Sequence, residues 1–256
     1  MGIAGKERAD ILLVLRGLAP SLDKAQATIL AGQVWSAHQR VEKPGIRLGT
    51  DADLRVTPLQ PTYVSRGGYK LGGVLDHFTI PVVGENCLDI GASTGGFTDC
   101  LLQRGAALVM ALDVGRAQLA ARLRRHPRVV LLEKMNVRYL QAEDLPEAPD
   151  LVIADLAFIS LTLVLPSIVS ACSTICAGSG FKTLFLVKPQ FEVRRGRVGE
   201  RGVVSNPQWQ EEATEKIRHC AESLGLQTIG TVESAIRGAR GNREFFLFSA
   251  WSPDNQ

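Results

Sequence analysis

Several apolar runs in this chain end in a charged residue: Asp89, Asp113, Asp155 and Lys188. Lys188 closes the run Leu184-Phe185-Leu186-Val187, where an ammonium group is costly to bury without a partner. Pro189 keeps the chain extended there by restricting the residue before it. Adjacent parallel strands ending at Asp155 and Lys188 would bring these two side chains within reach of each other. A buried ion pair is one account of that pairing. A second is proton transfer, because a lysine beside another cation gives up its proton more readily and can act as a base near neutral pH. Lys70 is the candidate for the second cation. Glu244 opens the last strand-like run, and if that strand runs antiparallel its start lies on the same rim. Residue type and order thus permit a cluster of Lys70, Asp155, Lys188 and Glu244.

A second constellation is the stretch from Cys87 to Asp99, a buried strand followed by a Gly/Ser/Thr turn and the opening of a helix. Asp89 lies at the strand end, and Gly91, Gly95 and Gly96 allow a ligand close to the backbone. The helix from Phe97 to Arg104 would aim free N–H groups at the turn. Such a corner in an open α/β sheet commonly holds a nucleotide-like cofactor, although a purely structural corner has the same outline. The G-x-G-x-x-G spacing is absent, so the turn alone leaves the cofactor open. Asp113 lies 22 positions after Gly91 and could accept hydrogen bonds from both hydroxyls of a ribose, or simply be a solvated strand end. Asn136, after the third strand, could meet a base edge or serve as a turn residue.

The elements that must position these groups alternate from residue 84 onward. Strands are predicted at Cys87–Ile90, Leu108–Asp113, Val129–Leu132, Leu151–Asp155, Thr183–Lys188, Gln227–Val232 and Phe245–Ala250. Helices are predicted at about Phe97–Arg104, Arg116–Leu123, Leu161–Cys176 and Gln208–Leu224. The strands are apolar runs without strict alternation, as expected when helices cover both faces. The fold class is therefore α/β, a doubly wound, mostly parallel seven-stranded sheet with ligands at the carboxyl ends of its strands. The first 60 residues differ in texture. A helical stripe (Ile11, Leu12, Leu15, Leu18) spans Arg8 to Leu18, and Ser21 opens a second helix with Ala25, Ile29 and Leu30 facing inward. Seven basic groups against four acidic ones over residues 1–48 suit either a small phosphate-contacting module or an ordinary solvated hairpin. The Thr, Asp and Pro residues from Thr50 to Thr62, Pro58 and Pro61 among them, read as linker chemistry. The predicted organisation is a module at 1–60, a linker at 61–64 and a larger domain at 65–252.

At 256 residues and 45% apolar content the chain can bury a sizeable core, while a net charge of +3 distinguishes no partner. Five cysteines and no secretory leader suggest a reduced, cytoplasmic setting. Cys172 and Cys176 have no further ligand type nearby, and His38, His77, His126 and His219 are scattered, so no metal site is expected. The uncharged run Leu156–Gly180 reaches 25 residues, but five Ser, two Thr and Pro166 interrupt it, so a strand-to-helix turn and buried helix are expected in place of a membrane span.

Taken together, the motifs resemble the haemolysin A (TlyA) family, which belongs with the FtsJ-like ribose methyltransferases. The resemblance is carried by Val64-Ser65-Arg66-Gly67-Gly68-Tyr69-Lys70-Leu71, by Leu88 through Thr98, by Ala154-Asp155-Leu156-Ala157-Phe158-Ile159-Ser160-Leu161, by Leu186-Val187-Lys188-Pro189-Gln190-Phe191-Glu192, and by Gly241-Asn242-Arg243-Glu244-Phe245-Phe246. It covers about residues 64–250. The first 60 residues are similar to the RNA-binding module of a small-subunit ribosomal protein, with Ser21-Leu22 and Val34-Trp35-Ser36-Ala37 departing from its usual sequence. The resemblance implies a Rossmann-like fold, S-adenosylmethionine as cofactor and a 2′-hydroxyl of ribosomal RNA, free or in ribosomal subunits, as acceptor. It carries a Lys–Asp–Lys–Glu tetrad onto Lys70, Asp155, Lys188 and Glu244, with Lys188 as general base. Cofactor contacts are expected from Asp89, Gly91, Ser93, Thr94, Gly95, Gly96, Phe97, Asp113, Asn136 and Asp155. RNA contacts are expected from Arg8, Lys24, Arg66, Arg194, Arg195 and Arg197, and the cluster Arg122, Arg124, Arg125, Arg128 suits phosphate or plain solvent. The competing classes are a non-catalytic RNA or cofactor binder, a haemolysin-like protein, and a nicotinamide-dependent oxidoreductase. The last would leave Lys70, Lys188 and Glu244 without a role. No membrane partner is expected, and monomer or homodimer is left open.

Overall fold

The computed structural model describes residues 5–37, 39–57 and 62–255. His38 and the linker residues Pro58 and Pro61 lie outside the described residues. The chain divides into two compact units, residues 1–61 and 62–256.

In the first unit, β1 (Lys6–Arg8) pairs antiparallel with β4 (Arg47–Gly49), and β2 (Val34–Ser36) lies between β3 (Gln39–Arg40) and β5 (Leu54–Val56). Helices α1 (Ala9–Leu15) and α2 (Leu22–Leu30) enclose a small core of Ala9, Leu12, Leu13, Ala25, Ile29, Val34, Val41 and Leu54. Ser21 Oγ accepts the Lys24 N–H at 3.4 Å, capping α2 as its sequence suggested. The first helix is shorter than its stripe predicted. Gly17 takes a left-handed φ of 68°, and the N–H groups of Leu18 and Ala19 both return to the Leu13 carbonyl. That turn ends α1 at Leu15 and leaves Leu15 and Leu18 exposed, so Leu13 fills the core position instead.

Among the described residues of the second unit, seven strands form one sheet in the order β11-β12-β10-β9-β6-β7-β8. They are β6 (Asn86–Ile90), β7 (Leu108–Asp113), β8 (Val129–Glu133), β9 (Leu151–Ala154), β10 (Phe181–Val187), β11 (Gln227–Glu233) and β12 (Phe245–Trp251). The central pairs β6·β7, β6·β9, β7·β8 and β9·β10 are parallel, and β12 runs antiparallel between β10 and β11. Around the sheet lie α3 (Gly67–His77), α4 (Gly96–Gln103), α5 (Ala121–Arg124), α6 (Leu165–Ile175), α7 (Pro189–Glu192) and α8 (Pro207–Ser223). Leu88, Ile90, Phe185 and Leu247 face one core, while Leu71, Leu101, Ile153 and Phe246 face another. Such two-sided burial is why the strands read as continuous apolar runs.

Two predicted helices differ. The stretch from Arg116 is a loop up to Ala120, since Ala117 adopts a φ of 56° and gives its N–H to Glu133 Oε1 at 2.8 Å. The uncharged run resolves into a 3-10 turn at Leu161–Leu163 and helix α6, with Pro166 in its first turn, where the missing N–H is harmless. Cys172 on α6 and Cys176 at its C-terminal cap are both buried in the core. No helix among the described residues is long and apolar enough to cross a membrane.

Candidate active site

The register of the sheet brings the rim residues together. Val187 pairs with Phe245, so Lys188 leaves β10 beside the point where Glu244 enters β12. Phe185 pairs with Ala154, so Asp155 leaves β9 on the same edge. Helix α3 carries Lys70 to this edge. Lys70 Nζ lies 2.5 Å from Glu244 Oε2, with only 9% and 3% of the two side chains exposed. Lys188 Nζ lies 2.5 Å from Asp155 Oδ1, slightly more open to solvent. The four residues form two ion pairs, each joining a cation and a carboxylate from different elements.

The glycine-rich turn borders a cavity of about 240 Å³ lined by Ser65, Arg66, Gly67, Lys70, Gly91, Ala92, Ser93, Thr94, Gly96, Phe97 and Asp155. Two of its glycines are needed for packing as much as for access. A Cβ on Gly91, at φ 85°, would sit 2.3 Å from the Asp155 carbonyl oxygen. One on Gly96 would sit 2.2 Å from Ser65 Oγ and 2.9 Å from Gly68 N, so the turn lies directly against the start of α3. Gly95 is not among the lining residues and faces Leu119 and Leu123. Asp89 lies beneath the turn, fully buried. Its Oδ2 accepts from Thr98 Oγ1 at 2.6 Å, its Oδ1 has no hydrogen-bond partner, and burial pushes the carboxyl up to about 7. Asp113 ends β7 and accepts N–H groups from Ser93 (2.8 Å) and Gly115 (2.7 Å), bordering a much smaller space with Gln118, Leu131 and Glu133. Asn136 lines neither space, and its side chain accepts the Arg138 N–H at the start of a 3-10 turn.

A second and larger cavity, about 450 Å³, lies on the far side of Lys70. Its walls include Lys70, Lys188 and Glu244 together with Phe158, Gln190, Phe191, Arg240 and Asn242. Lys70 borders both cavities, and Asp155, which borders the first, is paired to Lys188, which borders the second. Phe158 is 91% exposed with a left-handed φ of 65°, and its ring lies 5.4 Å from that of Phe191. An exposed aromatic held in that conformation is a strained position for a non-glycine residue. Phe158, Gln190 and Asn242 carry no charge and come from separate stretches of the sequence, so the pattern of charged strand ends does not single them out. Asn242 bridges two loops, accepting the Val204 N–H at 3.0 Å and donating to the Gly202 carbonyl at 2.8 Å.

The basic candidates divide. Arg8 is committed to Asp10 through Nε at 3.0 Å and Nη2 at 2.7 Å, and this contact holds the buried Asp10 carboxyl down at about 2. Lys24, Arg66, Arg194 and Arg195 are exposed, and Arg66 borders the smaller cavity. Arg197 is ion-paired to Glu212 and lies over the Trp209 ring. In the other basic cluster Arg122 holds Asp99, Arg124 holds Glu133, and Arg128 donates to the Ala106 and Leu102 carbonyls, leaving Arg125 exposed.

Comparison with known proteins finds relatives over most of the chain. Residues 63–250 match the FtsJ-like methyltransferase family. The 16S/23S rRNA (cytidine-2′-O)-methyltransferase TlyA of Mycobacterium tuberculosis is 46% identical over 96% of this chain and 90% of its own. Hemolysin A of Brachyspira hyodysenteriae is 37% identical over 93% of this chain and 97% of its own. A solved structure of a candidate hemolysin from Streptococcus thermophilus is 36% identical, covers 98% of this chain and 90% of its own, and superposes with a TM-score of 0.71.

Proposed function

The chain belongs to the FtsJ-like methyltransferase family, and we propose that it methylates a cytidine ribose 2′-hydroxyl of ribosomal RNA. The observation that carries this reading is the meeting of two cavities at the paired residues Lys70–Glu244 and Lys188–Asp155. S-adenosylmethionine is the cofactor, and the residues bordering the smaller cavity fit it. Gly91 to Thr94 offer backbone and hydroxyl groups at a strand end, the start of α4 offers free N–H groups, and Asp113 offers a carboxylate for ribose hydroxyls. When bound, the cofactor supplies a methyl group on a positively charged sulfur.

The larger cavity then takes the acceptor nucleotide. A ribose hydroxyl is a weak nucleophile until its proton is removed or shared. In its uncharged form Lys188 Nζ takes that proton and becomes the ammonium, and Asp155 fixes the orientation of the nitrogen through their 2.5 Å contact. Lys70, held by Glu244, faces the same space as a fixed positive charge that favours the oxygen's developing negative charge. The exposed ring of Phe158 offers a stacking face for a base removed from its helix. Lys24, Arg66, Arg194 and Arg195 are free to meet phosphates, and the first unit serves as an RNA-binding module. With ribosomal RNA as acceptor, the expected compartment is the cytoplasm.

The test is transfer of labelled methyl from S-adenosylmethionine to ribosomal subunits and to free rRNA. Wild-type protein should label ribosomal RNA, and Lys188→Ala should cut the rate by roughly 10² to 10⁴ while cofactor affinity by titration calorimetry is retained. Tight cofactor binding with no label in RNA from any assembly state would defeat the proposal.

A further inference from the structure

We propose that Glu192 is a positioning residue for methyl transfer, which ties down the segment after β9 and so holds Phe158 at the acceptor cavity. This role belongs to the methyltransferase reading above and rests on it. Two segments leave the rim from neighbouring strands: Asp155 to Leu161 follows β9, and Lys188 to Glu192 follows β10 through α7. The Lys188–Asp155 ion pair joins them at their near ends. Glu192 joins them at their far ends. Its side chain is only 1% exposed, its Oε2 accepts from Ser160 Oγ at 2.5 Å, and its Oε1 accepts the Leu161 N–H at 2.7 Å. Lys216, on α8, supplies the compensating charge, donating to Oε2 and to the Glu192 carbonyl oxygen at 3.0 Å each.

A carboxylate costs more to bury than an apolar side chain of similar size, even when an ammonium pairs with it. Here three donors from two other stretches of the chain share one carboxylate, and charged, directional bonds fix a conformation that apolar contact would leave free. That conformation is an unfavourable one. Only Leu156 to Ile159 lie between the two ties, and among them Phe158 takes a φ of 65° with its ring 91% exposed. An untied chain would leave that backbone conformation. With both ends held, the ring stays beside that of Phe191, the residue before Glu192, on the wall of the cavity of about 450 Å³. Glu192 lines neither that cavity nor the smaller one, so it touches neither acceptor nor cofactor. It acts through Phe158, whose face stacks on the acceptor base and brings the attached ribose hydroxyl into line with Lys188.

The experiment measures transfer of labelled methyl from S-adenosylmethionine to unmethylated ribosomal subunits by the full chain and its variants. Glu192→Gln sets an amide NH₂ against the Leu161 N–H or the Lys216 ammonium and so loosens the segment. It should cut kcat by roughly ten- to a hundredfold and leave KM for the subunits unchanged, since phosphate contacts carry the binding. Cofactor affinity by titration calorimetry should be retained. Ser160→Ala removes one contact without stranding the buried charge, and should show the same split with a smaller loss of kcat even if Glu192→Gln does not fold. Phe158→Ala should lower kcat by itself. Adding Glu192→Gln or Ser160→Ala to that variant should then cost nothing further, because the ring they position is gone. The proposal is overturned if Phe158→Ala is as fast as wild type, if the losses multiply as those of a packing residue would, if KM rises while kcat holds, or if neither variant at the tie changes kcat. Absence of label in any RNA with wild-type enzyme would instead defeat the underlying methyltransferase reading.

Discussion

Asp89 and the Lys70–Glu244 pair are the side chains whose burial has the largest consequences. Asp89 holds its proton to about pH 7 because the carboxyl is fully buried, where its charged form is costly. Between the ordinary carboxylate range and about 7 the folded protein keeps a proton that the unfolded chain has released. Stability therefore falls as pH rises through that window and levels off above it. Asp89→Asn removes the titration, so the stability of wild type should drop relative to the variant between about pH 4 and 7, by roughly a few kcal/mol. Parallel pH profiles would show that Asp89 does not titrate there. The ion pair calls for a different substitution. Glu244→Gln strands a buried ammonium and should cost roughly 3–5 kcal/mol by denaturant titration, whereas Lys70→Met with Glu244→Leu should regain most of that loss without regaining methyl transfer. Equal stability of the single and double variants would contradict the argument. The charged residues of the site were legible one by one, since a lysine or aspartate ending an apolar run violates the ordinary pattern of burial. Phe158 was not, because an aromatic breaks no rule in sequence and becomes unusual only when it is seen exposed.

Elements explain how those residues hold position. The strand, turn and helix from Asn86 to Gln103 could be read locally, because apolar runs and glycine-rich turns report on neighbours in the chain. What the glycines are for could not, since their contacts are remote in sequence. Gly96 touches Ser65 and Gly68, and through them sets where α3 begins and where Lys70 reaches the rim. The same blindness applies to Arg116–Leu123, where Glu133 from the next strand captures the Ala117 N–H and forestalls a helix. Gly96→Ala should therefore destabilise by about 1–3 kcal/mol, because a methyl group cannot be fitted against α3 without moving it. Methyl transfer should fall further than the melting temperature alone accounts for, since Lys70 moves with the helix. Gly178→Ala, which would meet nothing within 4 Å, serves as the control and should leave both unchanged. A Gly96→Ala enzyme of full activity would show that the close approach of turn and helix has no part in the site.

At the scale of the whole molecule, a net charge of +3 conceals an uneven distribution of free and committed cations. Arg8, Arg122, Arg124 and Arg197 spend their charge on Asp10, Asp99, Glu133 and Glu212, each pair lying within a single unit, and so have less to offer a phosphate. Lys24, Arg194 and Arg195 are exposed instead. Binding to RNA releases one condensed counterion for nearly every phosphate neutralised, so the logarithm of affinity should fall linearly with the logarithm of salt concentration. Each free cation removed should reduce that slope by about one and weaken binding to any RNA alike. Lys24→Ala, Arg194→Ala and Arg195→Ala should each behave in this way in filter-binding titrations over a range of salt. Arg8→Ala should behave differently: Asp10 loses the partner that holds its carboxyl near 2, and amide exchange in α1 and α2 should accelerate before RNA is added. Its effect on RNA affinity would then come through a loosened first unit. If Arg8→Ala changes the salt slope by about one and leaves amide exchange untouched, then Arg8 meets phosphate directly and its pairing with Asp10 is dispensable.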